Sequence, residues 1–259
     1  MNTEVSNGIS TIKAGANLFG LECEELEQAA LDCGQARFRG RQIYRGVYHH
    51  RNFDLAAFTE LSKTFREKLR SKFRLELPEI REKHPSRDGS VRYLLAFEDR
   101  QGAESVYMPE KNRVTLCVSS QAGCAVNCRF CFTALMGLER NLTAGEILSQ
   151  VYLLAGDQGI SSSVRLNIVF MGMGEPLLNL ESVMKAVRIL TDPAGLGISL
   201  RRITVSTSGI IPGIRELSRE TTRPKLAVSL NASTDEQRIS LMPVGRKYPL
   251  RELMTACRE

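Results

Sequence analysis

From about residue 114 onward strand-like and helix-like segments alternate, and no other feature narrows the possible folds of this chain as much. Short β-rich runs at 114–119, 165–171, 203–206 and 226–230 are each followed by a helical pattern, beginning near 144, at 180–190, near Pro212 and at 235–241. A parallel strand pair needs a long crossover, and a helix is the usual one, so this alternation predicts repeated parallel β-α units. The expected fold class is α/β, a partial parallel (β/α) barrel. Thr143 with Glu146 and Ser233 with Glu236 have capping-box spacing, and Pro249 suits a first helical position. A last helix is expected to carry Leu250, Leu253, Met254 and Cys257 on one face. Four units are too few to close an eight-stranded barrel, so the barrel is expected to be incomplete and the chain truncated at its C-terminus.

Upstream the pattern differs. Over 21–77 apolar residues recur at helical spacing: Leu26, Ala29 and Ala30; Ile43, Tyr44 and Val47; Leu61, Phe65 and Leu69. Runs at 91–97 and 104–108, separated by the turn-like Glu98-Asp99-Arg100-Gln101-Gly102, predict a hairpin. The expected division is a helical module over 1–80, a linking β-hairpin over 81–113 and the partial barrel over 114–259. With a mean hydropathy of −0.17, 25% charged residues and no apolar run of spanning length, an integral membrane protein is excluded. The first ten residues lack a secretory pattern. Seven cysteines, an odd number without an export signal, point to reduced thiols or metal ligation and to the cytoplasm.

The densest chemistry lies in Cys124-Ala-Val-Asn-Cys128-Arg-Phe-Cys131, in the loop after the first strand of the alternating region. Three thiolates this close can hold an iron-sulfur cluster and leave one iron without a protein ligand. A zinc site lacking its fourth ligand and three unligated core thiols are the alternatives, and His49, His50 and His84 lie far upstream. Gly172-Met-Gly174-Glu175 follows a strand, which suits either a tight turn or a backbone brought close to a ligand. Ser206 and Ser229-Leu230-Asn231 end two further strands, the rim where an α/β barrel gathers its site. Cys117, within a strand, has a buried inert thiol as its default.

The spacing C-x3-C-x2-C, with Phe130 just before the last cysteine, resembles the signature of radical S-adenosylmethionine enzymes. Thr115-Leu-Cys-Val-Ser-Ser-Gln-Ala-Gly-Cys124, Arg140-Asn-Leu-Thr-Ala-Gly-Glu146, Met171-Gly-Met-Gly-Glu-Pro-Leu-Leu-Asn179 and Val205-Ser-Thr-Ser-Gly209 are similar to the bacterial RNA adenine-C2 methyltransferases, which act on 23S rRNA and tRNA. The resemblance runs from about residue 21 and is strongest over 104–250. It implies a [4Fe-4S] cluster on Cys124, Cys128 and Cys131 whose open iron chelates S-adenosyl-L-methionine. It further implies contacts from Gly174 and Glu175 to the amino acid end of that cofactor, and from Ser206, Ser229, Leu230 and Asn231 to its ribose, adenine or sulfonium region. Asn231 stands where relatives often carry His, and Gly245 where they usually have Asn.

The same resemblance gives Cys117 the role of resolving a covalent protein-RNA intermediate and Glu104 that of proton acceptor. The family's methyl-carrying cysteine lies beyond position 259. Cys23, Cys33 and Cys257 read as structural. Residues 36–51 hold five arginines, two histidines, Phe38, Tyr44 and Tyr48 and no acid, and 63–74 add six basic residues against one Glu. With the net charge of +6, this suits an accessory RNA-binding module. A flavodoxin-type electron donor, no membrane partner and a monomeric state complete the expectation. The related adenine-C8 rRNA methyltransferase and a non-catalytic RNA-binding protein with a structural metal are the alternatives. On the family reading, residues 1–259 alone cleave the cofactor without turning over RNA, and sustained adenine methylation by this chain, measured by nucleoside mass spectrometry, overturns that expectation.

Overall fold

The apolar periodicity of the first quarter of the chain is realised in three helices, α1 (Cys23–Asp32), α2 (Phe38–Tyr48) and α3 (Lys63–Lys72). A computed structural model describes residues 12–161 and 164–259, so the ten residues read for a secretory signal lie outside the described ones. All nine apolar residues named for this module are buried, from Leu26 to Leu69. The Tyr48 hydroxyl is buried with them; it accepts from Gly20 N at 2.8 Å and donates to Leu21 O at 2.9 Å, so no polar atom of the ring is stranded. Residues up to Leu77, together with Pro193–Leu196, form one compact unit. Pro78–Asp192 and Gly197–Glu259 form the other.

The second unit is built on strands β1 (Glu79–Pro85), β2 (Val91–Ala96), β3 (Gly102–Glu110) and β4 (Arg113–Cys117). A small ribbon of β5 (Gln121–Gly123) and β6 (Leu138–Asn141) flanks the short helix α4 (Thr133–Met136). The β-α units follow as α5 (Ala144–Asp157), β7 (Leu166–Phe170), α6 (Leu180–Thr191), β8 (Ile203–Thr207), α7 (Ile211–Arg219), β9 (Lys225–Val228), α8 (Asp235–Leu241) and α9 (Leu250–Arg258). Seven strands make one sheet in the order β1-β2-β3-β4-β7-β8-β9. Pairing is antiparallel from β1 to β4 and parallel from β4 to β9, which gives the mixed α/β fold with parallel units that the alternation predicts. Among the described residues no helix is long and apolar enough to cross a membrane.

The structure adds to the expected hairpin and corrects some local expectations. Residues 79–85 form a third strand, β1, whose run of charged residues and terminal Pro85 carries no apolar alternation by which to see it. The three strands continue the main sheet through the β3–β4 pairing, Val106 opposite Cys117. The cap of α5 is the expected box, with Thr143 Oγ1 accepting from Glu146 N and the Glu146 carboxylate accepting from Thr143 N. α8 is capped one residue later than expected: Thr234, not Ser233, accepts from Gln237 N. Pro249 is the cap of α9 and not its first helical residue. Leu253 and Ala256 are the buried positions of α9, while Met254 and Cys257 are exposed, so the expected stripe is rotated toward Ala256.

One buried polar side chain ties these layers together. Gln150 of α5 accepts from Ser105 Oγ at 2.7 Å and Ser119 N at 2.6 Å, and donates to Ser119 O at 2.9 Å and Glu146 O at 3.2 Å. It thus gives the chain just past β4 both halves of a backbone pairing that no strand supplies there. Gln150→Leu is expected to lower stability by about 2 to 4 kcal/mol, because it leaves the Ser119 backbone groups and the Ser105 hydroxyl buried without partners. Thermal and urea unfolding of the two proteins checks this, and an unchanged midpoint would refute it.

Candidate functional site

Sheet register sorts the side chains of the second unit into two faces. Leu116, Ile168, Phe170, Ile203 and Val205 are buried. On the opposite, half-exposed face the pairings Val106–Cys117, Cys117–Val169 and Val169–Thr204 place one row across four strands. Since side chains two apart share a face, Glu104, Cys117, Ser206 and Ser229 all lie on that side. The C-terminal ends of the parallel strands open there onto a cavity of about 290 Å³.

Its walls come from two loops held edge to edge. The loop after β7 carries Gly172-Met-Gly174-Glu175, and the chain after β4 carries Ser119-Ser120-Gln121. Ser120 N donates to Met173 O at 2.9 Å, Met173 N to Ser119 Oγ at 2.7 Å, and Glu175 N to Gln121 Oε1 at 2.8 Å. Gly174 has φ of +98°, and a Cβ there would lie 2.6 Å from Gln121 Cβ; at Gly172 it would lie 2.6 Å from Ser119 Oγ. The glycines are therefore required by the neighbouring chain segment, a different reason from the ligand approach or plain turn read from the motif. Glu175 is buried, and its carboxylate accepts from Leu177 N at 3.1 Å and Ser208 N at 2.7 Å, which pins the β7 loop to the end of β8.

Eight of the expected site residues line this cavity: Cys124, Cys128, Cys131, Gly174, Glu175, Ser206, Ser229 and Asn231. Leu230 is not among the lining residues; its carbonyl accepts from Arg238 at 2.6 Å, inside the turn that leads to Asn231. Asn231 occupies the left-handed region at φ 55°, a conformation asparagine tolerates better than most residues, and donates to Met242 Sδ at 3.2 Å. Glu104 and Cys117 share the half-exposed face without lining the cavity. The Glu104 carboxylate is paired with Arg92 at 2.5 Å. Thr207, Ser208 and Met242 also line the cavity and were not singled out from the sequence. The Val205-Ser-Thr-Ser-Gly209 motif contained the first two; nothing local marked Met242.

Electrostatics at the cysteines follow from crowding. Burial is the main cause that raises the Cys128 thiol to about 11, and the neighbouring Cys124, Cys131 and Glu175 add to it, while Arg238 opposes. Cys124 is raised for the same leading reason, with Glu175 and Cys131 contributing. Three sulfurs and a carboxylate that repel one another as anions make a site that a polycation relieves. Among the described residues no three His, Cys, Asp or Glu side chains gather tightly enough for a single metal ion. The cysteines instead line a cavity large enough for a polynuclear group. Ser208 Oγ, buried at the same wall, has no hydrogen-bond partner among the described residues, which suits a polar ligand beside that group. The donor set fits an iron-sulfur cluster with a polar cofactor.

In the helical unit, Arg37, Phe38, Arg41 and Arg45 are exposed along one side of α2, as i, i+4 spacing requires. Arg37 and Arg41 reach Glu27 at 3.5 and 2.9 Å, and Arg39 lies over the Phe38 ring at 4.6 Å. Tyr44 and Tyr48 belong to the core, so of the three aromatics expected beside these arginines only Phe38 is available at the surface.

Residues 118–259 match the model of the radical SAM superfamily, and residues 16–75 that of the ribosomal RNA large subunit methyltransferase N-terminal domain. The chain is 46% identical to the probable dual-specificity RNA methyltransferase RlmN of Koribacter versatilis, over 87% of this chain and 70% of that one. It is 45% identical to the dual-specificity RNA methyltransferase RlmN of Rhodospirillum rubrum, over 100% of this chain and 61% of that one. The crystal structure of a radical SAM methyltransferase from Sphaerobacter thermophilus superposes with a TM-score of 0.87 at 44% identity, covering 94% of this chain and 72% of that one.

Cys117 gives a direct test of the electrostatic description. Burial raises its thiol to about 11 despite a bond from Met171 N. The thiolate is the reactive form, and a raised value means less of it at neutral pH. Alkylation of Cys117 in the metal-free chain, followed by peptide mass spectrometry, is expected to rise about tenfold per pH unit between 7 and 10 without a plateau. A plateau near pH 8.5, the range of a free thiol, would overturn this.

Proposed function

The chain belongs to the radical SAM superfamily and to the dual-specificity RNA methyltransferase RlmN family, and on that footing we propose that it methylates C2 of adenine in 23S rRNA and tRNA. The observation that carries the proposal is the convergence of Cys124, Cys128 and Cys131 with Glu175, Ser206, Ser208 and Ser229 around one cavity at the strand ends.

C2 of adenine is not a nucleophile, so a methyl group cannot reach it by simple displacement from a sulfonium. The cluster, when bound, supplies the one-electron reduction that breaks a carbon–sulfur bond of S-adenosylmethionine and opens a radical route. Cys124, Cys128 and Cys131 hold the cluster. Gly174 and Glu175 bind the amino acid end of the cofactor: with each Glu175 oxygen accepting one backbone bond, the carboxylate is fixed in place and keeps acceptor capacity for an ammonium group. Ser206, Ser229, Asn231 and the backbone of Leu230 orient its nucleoside end. Cys117, on the same face of the sheet, would attack the sulfur of the family's methyl-carrying cysteine, forming a disulfide as that sulfur's bond to the carbon attached to adenine breaks, and Glu104 would accept the proton lost from C2, with Arg92 fixing that carboxylate in an exposed ion pair. The arginine side of α2 contacts RNA phosphates, and Phe38 offers a stacking surface. The enzyme works in the cytoplasm as a monomer and draws its electron from a flavodoxin-type donor.

Anaerobic reconstitution with iron and sulfide tests the reading. About four irons and four sulfides per chain are expected, with absorbance near 400 nm, and Cys128→Ala is expected to lose the intact cluster. About one zinc per chain with no sulfide, or an unaltered centre in Cys128→Ala, refutes it.

A further inference from the structure

Arg238 is fully buried on α8, an environment in which a guanidinium normally meets a carboxylate. Among the described residues no carboxylate lies within 4.0 Å of it. Its partners are backbone carbonyls at two strand ends and, at 3.7 Å, Met242 Sδ. Nη1 donates to Ser229 O at 2.9 Å and Leu230 O at 2.6 Å, past β9, and Nη2 donates to Ser208 O, past β8. Its Nε is buried with no partner among the described residues. The helix that carries it is also fastened to the cysteine loop: Arg129 N, between Cys128 and Cys131, donates to Leu241 O at 2.9 Å. Met242, the next residue, lines the cavity and receives the Asn231 amide.

We propose that Arg238 is a positioning residue of the cofactor site, joining the ends of β8 and β9 from which Ser208, Ser229 and Asn231 reach the cavity, and holding a positive charge beside the cysteine loop. The two duties follow from separate properties. Only a planar fork reaches carbonyls on two strand ends at once, so the joining is specific to arginine. The charge is carried on the helix whose end is bonded to the cysteine loop, through Arg129 N and Leu241 O. A cation there finds its counter-charge in a thiolate-ligated cluster, and favours the more negative, reduced form of it. Lysine keeps the charge and loses the fork, while methionine loses both.

The inference rests on the iron-sulfur reading above, so the 259-residue chain, R238K and R238M are each reconstituted and compared. The measurements are iron content, the cluster midpoint by an EPR-monitored redox titration, and S-adenosylmethionine affinity by equilibrium dialysis. R238M is expected to shift the midpoint to more negative potential by about a tenfold change in the reduction equilibrium, ~59 mV for one electron. Both variants are expected to bind S-adenosylmethionine at least about tenfold more weakly, with R238K keeping a midpoint near that of the parent chain. If R238M fails to fold or to load, R238K decides alone: weaker binding at an unchanged midpoint supports the proposal. Parent-like affinity in a loaded R238K overturns the joining role, and a parent-like midpoint in a loaded R238M overturns the charge role. A parent chain that never acquires a cluster defeats the functional reading itself, a result distinct from either.

Discussion

The site depends on a contact between two stretches of backbone. The chain leaving β4 runs on into the cysteine loop, the chain leaving β7 runs into the Glu175 turn, and the two touch so closely that side chains at 172 and 174 have no room. The cysteine loop and the Glu175 turn, which form two walls of the cavity, are located by that contact. Gln150 and Ser119 hold one stretch, Gln121 binds the other, and Glu175 carries the constraint across to β8. Buried networks of this kind are rigid because each member left unpaired would be expensive.

The same rigidity concentrates charge of one sign. Cys124, Cys128, Cys131 and Glu175 line one small cavity, where burial, with the neighbouring anions adding to it, raises the Cys124 and Cys128 thiols. Such an arrangement is poorly suited to an empty core and well suited to a compact, highly charged inorganic group. Arg238, buried on α8, donates to three backbone carbonyls and to Met242 Sδ and forms no ion pair with a carboxylate among the described residues.

Much of this was legible in the sequence, and the parts that were not have physical reasons. The period of the apolar residues located the helices of the first unit and the β-α units of the second, because burial of one face imposes that period. The cysteine spacing located the cluster loop, because its ligands are local. β1 was not visible, since a strand at the sheet margin with charged residues on both sides has no apolar alternation. Arg238 was not visible either: a single arginine in an otherwise ordinary helix says nothing of where its side chain ends up. Tyr44 and Tyr48 looked like possible stacking partners for bases, yet they lie on the face of α2 that Ile43 and Val47 share, and a helix buries its neighbours in register.

β1 itself has one more implication. It closes one side of the sheet with Glu79, Arg81, Glu82, Lys83 and His84, is bent by a bulge near Ile80, and ends at Pro85, which has no N–H to give. A margin built in this way offers an approaching strand repulsion, curvature and a missing donor in place of a template. Self-association by sheet extension is disfavoured along that side.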